Sequence, residues 1–152
     1  MQLTPVSREV HHRSRRGTGV GSVLGLADGG INGEIADKGV TGQSDPFHEE
    51  IIIREAAELP YGGEWKGKEG LRALMTKINS LVTLRPVDVE VFDLGENHVI
   101  TRQVAKMTRG GVDRELEVPM VEIYHLEDGK IREIDVFYKD TKAMVDFMMQ
   151  RS

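Results

Sequence analysis

The sequence contains no cysteine, which removes disulfides, thiol nucleophiles, thiolate metal centres and iron–sulfur clusters together. The same absence fits a reducing, cytoplasmic setting. No run approaches the roughly 20 apolar residues that span a bilayer. Positive charge is also scarce: the net charge is -5, whereas nucleic-acid phosphates call for clustered cations. Aromatic residues make up only 5% of the chain, with a single Trp, and no basic stripe is interleaved with them. What is present, 39% apolar and 30% charged residues over 152 positions, reads as one folded domain working without nucleic acid or membrane.

The aromatics are also unevenly placed. Phe47 is the first of them, and the preceding segment instead holds Gly17, Gly19, Gly21, Gly25, Gly29, Gly30, Gly33, Gly39 and Gly42. Gly17-Thr18-Gly19-Val20-Gly21 lacks both the preceding strand and the third glycine of a dinucleotide-binding turn. Arg15-Arg16 before Val20–Ala27 is arranged like a weak twin-arginine export signal, with the apolar stretch broken by glycine. The charges of residues 1–46 cancel, so the acidic balance belongs to residues 47–152.

From Phe47 the pattern becomes regular. Glu50–Glu55 is a β-branched strand that runs into the turn residues Leu59-Pro60-Tyr61-Gly62-Gly63. Leu71, Leu74, Met75, Ile78, Leu81 and Val82 share one helical stripe, which must end before Pro86. Four alternating segments follow, at 87–91, 99–105, 116–126 and 131–138. Their connections are Gly95-Glu96-Asn97, Gly110-Gly111 and Asp128-Gly129, so they predict an antiparallel meander. A short helix from Thr141, with Asp140 as N-cap, closes the chain. Helix set against meander is an α+β arrangement.

Polar residues on apolar faces mark the candidate site. In 116–126 one face reads Leu116, Val118, Met120, Glu122, Tyr124 and Leu126, so a carboxylate interrupts a hydrocarbon row. Either Glu122 faces a pocket with a raised pKa, as suits a general acid or base, or Arg102 or Lys106 on the neighbouring strand neutralises it, or local twist turns it to solvent. Tyr138 shares the inward face of the last strand with Ile134 and Val136 and is expected beside Glu122, as a hydrogen-bond donor to a developing oxyanion. Glu55, Tyr61 and Trp65 cluster about the Pro/Gly loop, with Glu55 a second carboxyl near the pocket mouth. His98 and His125 lack further ligands at metal spacing, so no metal site is expected. The outward row Glu117, Pro119, Val121, Ile123 and His125 is apolar at its centre and suggests a homodimer.

Leu59-Pro60-Tyr61-Gly62-Gly63-x-x-x-Gly67 and Asp128-Gly129-Lys130-Ile131-Arg132-Glu133-Ile134-x-x-Phe137-Tyr138-x-Asp140-Thr141 together resemble the SnoaL-like branch of the NTF2-like superfamily, over residues 47–150 or so. The resemblance implies a cone-shaped α+β barrel, a curved antiparallel sheet around a pocket. The Gly-rich residues 1–46 then stand as an arm or a degraded capping helix. It further implies a cofactor-independent acid/base enzyme (isomerase, dehydratase, cyclase or epoxide hydrolase) acting on a small hydrophobic cyclic or carbonyl molecule, or a binding or interaction module of the same fold. Glu122, Tyr138 and Glu55 are the expected catalytic set, and Tyr61, Trp65, Tyr124, Arg102 and Val136 the expected substrate contacts. Val136 stands where the polyketide cyclases of this branch carry an acid/base aspartate, and Glu122 where they carry a pocket histidine.

Overall fold

The structure, a computed structural model, describes residues 45–150. The paired Arg15 and Arg16 and the Gly-rich segment lie outside the described residues, apart from Asp45 and Pro46. The chain runs β1 (Phe47–Glu55), β2 (Gly63–Lys66), α1 (Gly67–Leu81), β3 (Thr83–Gly95), β4 (His98–Thr108), β5 (Leu116–Glu127), β6 (Lys130–Tyr138) and α2 (Thr141–Met149). The six strands form one sheet in the order β2-β1-β6-β5-β4-β3.

Strands β3 to β6 are the expected meander. They turn at Glu96-Asn97 and Asp128-Gly129, where all four residues have positive φ, as tight hairpin turns require. Strand β1 joins the far side by pairing parallel with β6, with Ile53 opposite Ile134 and Arg54 opposite Asp135. The sheet is therefore mixed, antiparallel except for this one pair. Two details depart from the sequence expectation. The short strand β2 follows the Pro/Gly loop directly, and β3 extends from Thr83 through Pro86 to Gly95. Proline is tolerated there because β3 is an edge strand, where a missing N–H need not break a ladder.

One face of the sheet is buried. Its hydrocarbon comes from Ile51 and Ile53 of β1, Val99, Ala105 and Met107 of β4, Val118, Met120, Tyr124 and Leu126 of β5, and Ile134 and Val136 of β6. Helix α1 lays Leu71, Leu74, Met75 and Ile78, spaced i, i+3, i+4 and i+7, against β1 and β2, the stripe that a half-buried helix needs. Helix α2 buries Met144, Phe147 and Met148 and begins on the Asp140 side chain, which accepts from the Ala143 N–H at 2.9 Å. At its other end the Arg109 guanidinium donates to the carbonyls of Phe147 and Met148 at 3.0 and 2.7 Å, two acceptors a helix C-terminus leaves unpaired. No helix among the described residues is long and apolar enough to cross a membrane.

The loop after β1 folds back on itself: the Leu59 N–H donates to the Ala56 carbonyl at 3.1 Å and the Gly62 N–H to the Leu59 carbonyl at 2.8 Å. This coil carries Tyr61 from the strand end into the core, where it is fully buried. It closes only because Gly62 has no side chain. A Cβ there would lie 2.4 Å from the Ala56 carbonyl oxygen and 2.7 Å from that of Ala57. Gly62→Ala is therefore expected to cost about 1–3 kcal/mol through overpacking, while Gly110→Ala, with open space around it, should stay within about 0.5 kcal/mol. Urea denaturation of both variants checks the contrast.

Candidate active site

Residues of one face recur every second position along a strand, and the register decides which of them stand side by side across strands. On the inner face Thr101 of β4, Glu122 of β5 and Val136 of β6 form one row. Two residues beyond the Ile53–Ile134 pair, Glu55 at the end of β1 comes level with Val136. Val136 thus stands between two carboxyls.

Each carboxyl is held by a phenol. The Tyr124 hydroxyl, two residues along the same strand face, donates to Glu122 Oε2, and the Thr101 hydroxyl donates to the same oxygen at 3.4 Å. The Tyr138 hydroxyl donates to Glu55 Oε2 at 2.8 Å. In both residues Oε1 accepts no hydrogen bond among the described residues. Glu122 retains 7% of its exposure, whereas Glu55 keeps partial solvent contact beside a carboxyl largely enclosed by protein.

Tyr61 approaches from the loop. Its hydroxyl lies close enough to that of Tyr138 for each to weigh on the other's ionisation. Even so, it makes no hydrogen bond of full geometry, the only buried side-chain polar atom among the described residues without one. Trp65, half-buried and opposite Ile53, locks the loop by donating its indole N–H to the Tyr61 carbonyl at 3.0 Å.

Burial pushes the Glu55 carboxyl up to about 8; the Tyr138 hydrogen bond works against that shift, and the negative charge of Glu122 adds to it. Burial likewise raises Glu122, opposed by the hydrogen bonds from Tyr124 and Thr101. No basic side chain contributes to either shift. The cations are engaged elsewhere: Arg54 bridges Glu64 and Glu133, both at 3.2 Å, Lys106 pairs with Glu115 at 3.0 Å, and Arg102 with Glu90 at 2.5 Å.

Two expectations need correcting. Arg102 neither neutralises Glu122 nor faces the site. It follows Thr101 by one residue, so strand alternation turns it to the exposed face. Tyr138 is not the partner of Glu122, because the register sets it opposite Met120; it reaches Glu55 instead. The phenol on Glu122 is Tyr124, placed among the substrate contacts by sequence though its i+2 spacing already put it on the same face. Glu55, Glu122, Tyr61, Tyr124, Tyr138 and Val136 are thus gathered on the inner side, with Trp65 behind the loop. Among the described residues no group of three or more His, Cys, Asp or Glu is placed to hold a metal ion.

Comparison with known proteins agrees with this architecture. Residues 36–134 match the family described as the SnoaL-like domain. Bal32a, from a soil-derived mobile gene cassette, superposes with a TM-score of 0.72 at 17% identity, covering 86% of this chain and 96% of its own. TerC, co-crystallised with polyporic acid, gives 0.69 at 16% identity, covering 88% and 100%. A protein of Jannaschia sp. CCS1 described as a SnoaL-like polyketide cyclase gives 0.66 at 16% identity, covering 89% and 94%. At these identities the likeness is one of fold. No curated protein matches.

The hydrogen bonds have a measurable sign. Tyr138→Phe removes a donor that favours the charged carboxylate, so the Glu55 pKa should climb beyond about 8; Tyr124→Phe should raise Glu122 in the same direction, and Arg102→Ala should move neither. Carboxyl-labelled NMR titration reads all three. Stability follows by linkage: the folded Glu55 holds its proton to about 8 while the unfolded group releases it near ~4.3. Stability should therefore be fully present below the unfolded pKa, fall as pH rises through that window and level off above it. Glu55→Gln should flatten the fall between about pH 5 and about pH 8.5 in urea denaturation.

Proposed function

Since the chain belongs to the SnoaL-like domain family, we propose that it is a small enzyme that moves protons on a hydrophobic carbonyl-bearing or cyclic molecule held against the inner face of the sheet. One observation carries the reading: two carboxyls stand either side of Val136 with no cation between them, each anchored through Oε2 by a tyrosine and with no donor to Oε1 among the described residues. A purely structural carboxyl of this depth would be expected to have a basic partner, since burial of an unpaired charge is strongly unfavourable.

The chemistry follows from the coupling. The charge of Glu122 adds to the rise at Glu55, so when the pair holds a single proton the arrangement with Glu55 protonated and Glu122 ionised is the one the coupling favours. The protonated member gives a proton to a substrate oxygen while the ionised member takes one from carbon or water, as isomerisation, dehydration and epoxide opening all need. Glu55, about 8, is protonated at neutral pH and serves as the acid; Glu122 serves as the base once ionised. Tyr138 and Tyr124 hold the carboxyls in place, and the Tyr61 hydroxyl meets the substrate. None of these steps calls on a metal or redox cofactor. The co-crystal of TerC with polyporic acid supports an organic molecule as the ligand of this fold.

A panel of uncharged cyclic ketones, enones and epoxides tests the reading. Turnover of any member should drop about 10²–10⁴-fold in Glu122→Gln and in Glu55→Gln; unchanged turnover in Glu122→Gln would sink it.

We further propose that the outer face pairs two copies of the chain. Phe92, Ile100 and Ile123 form one apolar row across β3, β4 and β5, and Val121 and Phe137 extend it onto β6. Phe92 is 46% and Phe137 51% exposed, large areas of ring for a monomer to leave in water. Sedimentation at micromolar concentration should give a dimer that Phe137→Glu converts to monomer; a monomeric parent chain would refute the pairing.

A further inference from the structure

His98 and His125 face each other across β4 and β5. The Leu126 N–H donates to the Asn97 carbonyl at 2.8 Å, which makes Asn97 and Leu126 a hydrogen-bonded pair. The next pair, His98 and His125, is then of the other type, in which side chains approach most closely. The two imidazoles accordingly stack, with ring centroids 4.7 Å apart and planes 20° from parallel. His98 Nδ1 lies 2.9 Å from the Glu96 carbonyl; a carbonyl only accepts, so Nδ1 carries a proton and Nε2 is left as the basic nitrogen. The chemistry proposed for the inner face makes no use of this pair.

The stack is half-buried on the outer face. Ile100 follows His98 by two residues and Ile123 precedes His125 by two, so the pair stands one row from Phe92, Ile100 and Ile123. Leu94, 57% exposed, closes β3 beside Gly95, the pairing partner of His98. A stable pairing of two chains covers about 800 Å² on each, or roughly 20–30 residues. Five apolar side chains do not fill that area, and the exposed rings and methyls of Phe92 and Leu94 carry the footprint across the histidine row. The charges around the stack already have partners or lie at its margin. Glu133 on β6, opposite His125, is held by Arg54 of β1 at 3.2 Å, and Glu127, two residues along β5, by Arg132 at 3.3 Å. Asp135 stands opposite Ile123, Lys130 opposite Glu127, and Asp93 accepts from the Gly95 N–H at 2.8 Å in the turn that holds Glu96. Imidazole is the side chain whose charge ordinarily changes between about pH 5 and 8.

We propose that the His98–His125 stack is a proton-operated release for the outer-face pairing: two copies join while the rings are neutral and separate as the rings take up protons. The proposal rests on that pairing and adds its control. A neutral stack offers flat rings to the partner sheet. An imidazolium in the same place must shed water beneath that sheet, and a second proton arrives on a ring 4.7 Å from the first, where like charges repel. In the separated chain, water relieves both costs. The separated chain therefore binds more protons, and falling pH favours it. In an isologous pair both stacks are covered, so the dissociation constant gains up to about a hundredfold per pH unit if each stack takes one proton. The fold runs the other way: Glu55 holds its proton up to about 8, and its contribution to stability grows on acidification, so separation is distinct from unfolding.

Sedimentation equilibrium of the full chain at about pH 7.5 and about pH 5.5, at one ionic strength, tests this. The expected result is a dimer at the higher pH whose dissociation constant rises at least about tenfold at the lower, reverses on return, and leaves the circular dichroism unchanged. The double variant His98→Gln, His125→Gln should pair at both pH values with less than about a threefold difference. The slope of the parent chain needs no variant, so the test stands even if the double variant folds poorly. Equal or tighter pairing at the lower pH, a slope undiminished in a folded double variant, or separation together with loss of the dichroism would overturn the switch and leave the pairing in place. A monomer at both pH values would overturn the pairing and the switch together.

Discussion

A carboxyl on the buried face of a sheet has few escapes, and the architecture around Glu122 is a response to that constraint. The period of two turns Arg102 away from it, and the cross-strand neighbours Thr101 and Val136 offer only a hydroxyl and a hydrocarbon. What remains within reach on the same face is Tyr124, and the hydrogen bond runs along the strand instead of across it. A phenol softens the burial penalty without cancelling the charge, so the carboxyl stays poised where an arginine would have made it inert.

Glu55 repeats the solution from another direction. It sits at the last residue of β1, where the parallel pairing with β6 brings it level with Val136, and its phenol comes from the end of β6. The two sites are independent in sequence and coupled in space, since the charge of Glu122 contributes to the raised pKa of Glu55. The Val136 side chain keeps them apart. An aspartate there would crowd a third carboxyl between two that already repel, so the hydrocarbon at this position and the glutamates on either side form a consistent set.

Much of the scaffold was legible because it depends on local patterns. The stripe Leu71, Leu74, Met75 and Ile78, the Asp128-Gly129 turn and the Asp140 cap each need only neighbours in sequence. Glu122 stood out for the same reason, as a break in an alternating row. The partners of the two carboxyls were less legible, because they depend on register: a shift of two residues along β5 and β6 decides whether Tyr138 meets Glu122 or Met120. The parallel pairing of β1 with β6 depends on residues some 80 positions apart, as for Tyr138 and Glu55, and no local signal encodes it. Strand β2, only four residues long, carries too little pattern to announce itself beside the Pro/Gly loop.

The distribution of cations completes the physical picture. Arg54, Lys66, Lys68, Arg102, Lys106 and Arg132 are all engaged with acids outside the cluster, most in exposed pairs worth little to stability. Lys68 is different in kind: it ties Asp45 and Glu49 beside the first turn of α1, and so fixes where β1 begins. Fixing that start also fixes the far end of the strand, where Glu55 must meet Tyr138. These basic side chains thus secure the frame from outside, and because none of the six enters the cluster, burial rather than pairing sets the protonation of Glu55 and Glu122.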